Sequence, residues 1–120
     1  MPEENLPEEK KKFFVVTFLH LDFERWKAEL QPHVDYLKAR VADGSLVASG
    51  PAFGLPGSGP GTRAGLLIIR GRDRAEIEEW IAADPFARHD LIDACTITEW
   101  DPVFGAFADQ SSGGLTVEPD

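Results

Sequence analysis

His33 follows Pro32 at a point where the sequence turns helical, and that placement gives its ring a possible chemistry. The start of a helix carries partial positive charge, which disfavours an imidazolium and favours a neutral ring that accepts a proton. The plain alternative is a partly exposed surface histidine. Asp84 is placed in the complementary way, before Pro85 at the end of a helical stretch. A carboxylate there meets the negative end of the dipole, at a penalty of roughly 0.3–1 kcal/mol. A histidine N–H would offset it; the plain alternative is an Asp-Pro helix stop and turn. Ser49-Gly50-Pro51 sets a hydroxyl beside a glycine that lets a ligand approach the backbone closely, and is otherwise a simple bulge.

Other reactive groups carry less. Cys95 falls in a strand-like segment with no basic neighbour in sequence to lower its pKa, so it is expected in the core. His20, His33 and His89 match no metal-ligand spacing, and no metal or other cofactor is expected. Gly57-Ser58-Gly59-Pro60-Gly61 lacks the Lys-Ser/Thr of a phosphate-binding loop and lies between two strands. Trp26, Trp80 and Trp100 are expected to fill the core, with one of them available to wall a cleft.

The elements that must position these residues follow from periodicity. Residues 13–20 (FFVVTFLH) are a nearly continuous apolar run, suited to a strand covered on both faces. Residues 22–30 place Phe23, Trp26 and Leu30 at helical spacing. Pro32 then starts a new helix, since its missing N–H costs nothing in a first turn. That helix runs to about Asp43 with Val34, Leu37 and Val41 as its buried face, and Gly44 ends it. Residues 46–53 form a second strand whose Gly50-Pro51 implies an edge position or a bulge. Residues 54–62 (GLPGSGPGT) are a loop, and 64–70 a third strand. Asp73 caps a helix over 74–83 that buries Ile77, Trp80 and Ile81. Pro85 pushes Asp84 out of the helical region and ends it. A short irregular piece leads to the last strand, 92–100.

The order β-α-β-β-α-β is that of an α+β, ferredoxin-like domain: a four-stranded antiparallel sheet with both helices on one face. Residues 1–12 are expected to be a disordered tail, 13–107 the folded domain and 108–120 a flexible tail. One sheet face is left bare, yet Phe13, Val15, Leu67 and Ile69 are too apolar for water on either side. A second copy packed face to face would cover it, so a homodimer is expected.

His33-x-x-Tyr36-Leu37, then Gly44-x-Leu46-x-x-Ser49-Gly50-Pro51, then Ala83-Asp84-Pro85-Phe86, resemble the YCII-related (YciI-like) family of dimeric α+β barrel proteins. The resemblance spans about residues 13–102. It implies that His33 and Asp84 pair as an active site, with Ser49, Gly50 and Pro51 lining the cleft and Tyr36 and Phe86 as further substrate-contacting positions. Some relatives act as dehydrochlorinases of a hydroxyquinol. This chain departs from the family at Arg88-His89-Asp90, where a small residue or glycine is usual, and in its long 54–62 loop.

A hydrogen bond from one ring nitrogen to Asp84 would fix the His33 tautomer and free the other nitrogen as a general base. The resulting expectation is a small enzyme doing acid–base chemistry (proton abstraction, elimination or dehydrochlorination) on a small organic, aromatic substrate. A ligand-binding or interaction module without catalysis is the alternative, and a cofactor-free or heme oxygenase on the same fold a weaker third. Composition excludes other classes. The net charge is −9, and residues 13–108 hold 14 acids against nine bases, so nucleic acid is not the expected partner. One cysteine cannot form an internal disulfide, and no apolar run approaches the roughly 18 residues of a membrane helix. With no signal-like apolar stretch near Met1, the expected location is the cytoplasm.

Overall fold

A computed structural model of the protein describes residues 11–111. Four strands, β1 (Lys12–His20), β2 (Leu46–Pro51), β3 (Arg63–Gly71) and β4 (Ala94–Trp100), form one sheet. Its order is β2-β3-β1-β4, and every neighbouring pair is antiparallel. This is the ferredoxin-like α+β arrangement that the alternation of periods implies. Pro51 sits on an edge strand, as its missing donor demands. The bulge is also present, but lies between Leu46 and Ala48 rather than at Gly50-Pro51.

The helices are α1 (Phe23–Ala28), α2 (Leu30–Ala42), α3 (Arg74–Ala82) and α4 (Pro85–Arg88), with a 3-10 turn at Ala108–Gln110. Asp22 and Asp73 cap α1 and α3, accepting from the backbone N–H of Arg25 and Glu76. The α2 helix starts two residues earlier than expected, at Leu30, so Pro32 stands third and His33 fourth. Pro32 still falls in the first turn, where no intrahelical partner is needed. The His33 N–H bonds the Glu29 carbonyl at 3.3 Å, so its backbone is already inside the helical ladder.

Directly paired residues share a sheet face. Phe14, Val16 and Phe18 of β1 therefore face the helices with Leu67 and Ile69 of β3, and these join Leu46, Ile77, Trp80 and Ile81 in the core. The α3 helix buries Ile77, Trp80 and Ile81 as its period requires. The α2 helix buries no residue fully. Val41, expected on its inner face, is 59% exposed, while Tyr36 and Leu37 pack against the core instead. The start at Leu30 does not move a residue around the helix axis; the buried stripe simply ends before Val41.

Phe13, Val15, Thr17 and Leu19 point to the other face, with Leu66 and Ile68 beside them. The chain covers both ends of that face itself. Phe107 meets Phe13 edge-on at 5.6 Å. At the other end Gly57, at φ +88°, lies so close that an added Cβ would stand 3.1 Å from Leu19 Cδ2. Cys95 is exposed on the edge strand β4 rather than in the core. Trp100 is likewise 36% exposed, whereas Trp80 is core. Residues 1–10 and 112–120, the bulk of both expected tails, lie outside the described residues.

Candidate active site

Between α2 and the sheet lies a cavity of about 640 Å³. Phe18, Gly65 and Leu67 form its sheet side, Leu30, His33, Val34 and Leu37 its α2 side. The hollow has a local cause. Gly65 faces the helices, and a Cβ placed there would meet nothing closer than the Gly50 carbonyl at 3.8 Å. A helix without fully buried side chains thus stands over a sheet position without a side chain.

Asp84 lies behind this cavity and is fully buried. It does more than stop α3: it is the N-cap of α4, its Oδ1 accepting from the Phe86 backbone N–H at 2.9 Å, with Pro85 as first helical residue. The expected dipole penalty is replaced by a capping bond. Both carboxylate oxygens stand 2.9 Å from His33 Nδ1, across 51 residues of sequence. A buried carboxylate accepts, so Nδ1 carries a proton, and in the neutral ring Nε2 then holds the lone pair. No other residue bonds Nε2 among the described residues, and the ring lines the cavity.

The Asp84-Pro85-Phe86 segment fixes the imidazole twice over. Asp84 holds its edge, and the Phe86 ring stacks on its face at 4.0 Å and 16°. Phe86 is itself 1% exposed. The turn after it is clamped to the end of β1, with the Asp93 N–H on the Leu19 carbonyl at 2.8 Å and the Leu21 N–H on Asp93 Oδ2 at 2.8 Å. This clamp is why β4 begins at Ala94 and not at Ile92. Asp90 in this turn adopts φ +60°, a left-handed conformation that asparagine and aspartate tolerate better than other side chains.

Ser49, Gly50 and Pro51 line the cavity where β2 borders it, as does Phe86. Tyr36 does not. It faces α3, donating its hydroxyl hydrogen to the Trp80 carbonyl at 2.5 Å, with the two rings edge-on at 5.2 Å. The residue spacing places Tyr36 and His33 on one side of the helix, but Trp80 takes up the phenol. Burial also pushes the Tyr36 pKa above its ordinary value.

Of three further lining residues, Arg63 carried no signal in the sequence, His20 was weighed only as a metal ligand, and Trp26 was expected in the core. Arg63 opens β3 at the cavity, its guanidinium over Phe23 at 4.4 Å and over Trp26 at 5.5 Å. Trp26 is a cavity wall rather than core. His20, at the end of β1, also lines the cavity. Cys95 is not among the lining residues, and desolvation pushes its thiol pKa up, away from a reactive thiolate. Among the described residues no cluster of three or more His, Cys, Asp or Glu side chains is placed to hold a metal ion.

The sequence model of the YCII-related domain matches residues 11–101, nearly all of the described chain. The chain belongs to that family. No curated protein sequence matches it. Among solved structures, it is similar to the 5-chloro-2-hydroxyhydroquinone dehydrochlorinase TftG from Burkholderia phenoliruptrix, in complex with 2,5-dihydroxybenzoquinone. The TM-score is 0.61 at 20% identity, covering 73% of this chain and 92% of that one. At that identity the likeness establishes the shared fold. No helix among the described residues of this YCII-related protein is long and apolar enough to cross a membrane.

Proposed function

We propose that this YCII-related protein is a small enzyme in which His33 Nε2 acts as general base on a small aromatic substrate held in the cavity. The single observation carrying this reading is the contact of His33 Nδ1 with both oxygens of a buried Asp84, at 2.9 Å, beside an apolar cavity. Asp84 holds the ring in the tautomer that presents a lone pair inward, and it stabilises the imidazolium formed once the proton arrives. The proton donor is a phenolic O–H or an acidic C–H. In an elimination the electron pair released to the substrate expels the leaving group as an anion, and the imidazolium returns its proton to solvent. No external oxidant or covalent nucleophile enters the balance.

The apolar walls suit an aromatic ring, and Arg63 supplies positive charge that favours a phenolate. Ser49 and the Gly50 backbone border the same space and are proposed to orient the ligand. TftG is a dehydrochlorinase whose structure was solved in complex with 2,5-dihydroxybenzoquinone, which supports placing chlorinated hydroxyaromatics first among substrates to be tried. We further propose that the protein works as a cytoplasmic homodimer, joined through the sheet face that the helices leave uncovered.

Chloride release from a panel of chlorinated phenols and hydroquinones, followed with a chloride electrode, tests the enzymatic reading. Wild-type protein is expected to release chloride from at least one member. His33→Ala should be slower by about 100-fold or more, the usual range for loss of a general base. Asp84→Asn keeps a side-chain oxygen for the α4 cap but loses the charge, and should also be slow. Release by His33→Ala at the wild-type rate, or tight binding of the panel with no turnover by wild type, would reject the proposal.

A further inference from the structure

His20 takes no part in the chemistry above, yet it is 2% exposed and lines the same cavity as His33. Its Nδ1 stands 2.7 Å from the Leu91 carbonyl oxygen. A carbonyl only accepts, so Nδ1 carries the proton and Nε2 holds a lone pair. The ring cannot turn over without losing that bond, and Phe18 and Phe86 pack around it with ring centres 6.0 and 4.7 Å away. The tautomer is therefore set by the backbone, much as that of His33 is set by Asp84.

The position of the second nitrogen separates a structural histidine from a functional one. Among the described residues, the buried side-chain polar atoms that lack a partner are Arg40 Nε and Arg70 Nε. His20 Nε2 is not one of them, and it bonds no other described residue, so it keeps a little accessible surface on a residue that lines the cavity. A packing histidine would have its second nitrogen paired or excluded. Burial also pushes the His20 pKa below its ordinary 6.5, which keeps the ring an acceptor at neutral pH. The rings of His20 and His33 both contact Phe86, with centres 4.7 and 4.0 Å away, and both residues line the same cavity.

We infer that His20 is a specificity-determining residue, its Nε2 accepting a hydrogen bond from a second hydroxyl of a ligand whose first hydroxyl meets His33. The ligand class is a small ring carrying two separate hydrogen-bond donors. This rests on the reading of the cavity as a small-molecule site with His33 as its base. A ligand bearing an ether in place of the second hydroxyl would leave two acceptors facing each other. Sites built around a buried acceptor reject such analogues strongly.

The test uses the full-length protein and the three dihydroxybenzene isomers, each against its monomethyl ether, by calorimetry in oxygen-free buffer. Wild type should bind at least one diol about tenfold or more tighter than its ether. His20→Asn retains a donor for the Leu91 carbonyl while removing Nε2, and should bring that ratio close to one with little change for the ether. His33→Ala should weaken diol and ether together and leave the ratio largely intact. A ratio unchanged in His20→Asn overturns the role of His20 alone. Failure of wild type to bind any diol or ether overturns it together with the aromatic-site reading. The nitrogen-15 signal of His20 Nε2 in wild type gives an independent answer should the variant not fold: it must move with the diol and not with the ether.

Discussion

A buried imidazole that stays neutral links the site to stability. Burial is the leading cause of the lowered His20 pKa, with the nearby His33 acting in the same direction. The Leu91 carbonyl, Asp93 and Asp84 pull the other way without reversing it. The unfolded chain therefore takes up a proton at His20 at a pH where the folded chain does not. Stability from this group is present above about 6.5 and is lost as pH falls from there toward the lower folded value. Urea denaturation of wild type and His20→Asn between pH 5 and 7.5 checks this. The wild-type midpoint should fall more steeply with acidification, and parallel curves would show that His20 is not the group responsible. Asp84 acts at the same scale in two ways: it caps α4, and both its oxygens share the His33 Nδ1–H.

Gly65 is where element packing meets function. Extended backbone there does not require glycine, and an added Cβ faces open space apart from the 3.8 Å contact with the Gly50 carbonyl. Gly65→Val should therefore fold with stability within about 1 kcal/mol of wild type, since a β-branched residue suits a strand and restrains the unfolded chain. Its side chain would occupy the cavity. Ligand binding is expected to drop by an order of magnitude or more while the thermal midpoint barely moves. Retained affinity would place the ligand elsewhere. The short α4 helix matters for the same reason: a four-residue element delivers a carboxylate and an aromatic platform to one imidazole.

At the scale of the whole molecule, the sheet face away from the helices is covered at both ends and open in the middle. Val15, Thr17, Leu66 and Ile68 are half-buried there. Thr17 and Thr96 share a 2.5 Å hydroxyl hydrogen bond across β1 and β4. An apolar strip of this kind, flanked by the chain's own segments, fits the proposed face-to-face dimer. Native mass spectrometry or light scattering at micromolar concentration should report twice the 13.2 kDa chain mass. Ile68→Arg should convert it to the monomer by placing a charge in the strip. A wild-type monomer would reject the dimer.

Much of this architecture is local in origin and so was written in the sequence. The apolar runs 13–20 and 64–70, the cap Asp73, and the spacing of Ile77, Trp80 and Ile81 each depend on residues within a few positions of one another. The family motifs around His33, Ser49 and Asp84 were legible for the same reason. What the sequence left open depends on contacts between distant segments. Val41 and Cys95 have core-like types, but the packing of distant segments leaves both exposed. Tyr36 was claimed by Trp80 rather than by the cavity, and Asp84 became a cap for a helix too short to show a period. Only the tertiary structure could bring Asp84 to both the Phe86 N–H and His33, hold His20 against the Leu91 carbonyl, and leave a hollow over Gly65. Hydrogen-bond geometry and empty volume are properties of segments meeting in space, and no stretch of chain contains them alone.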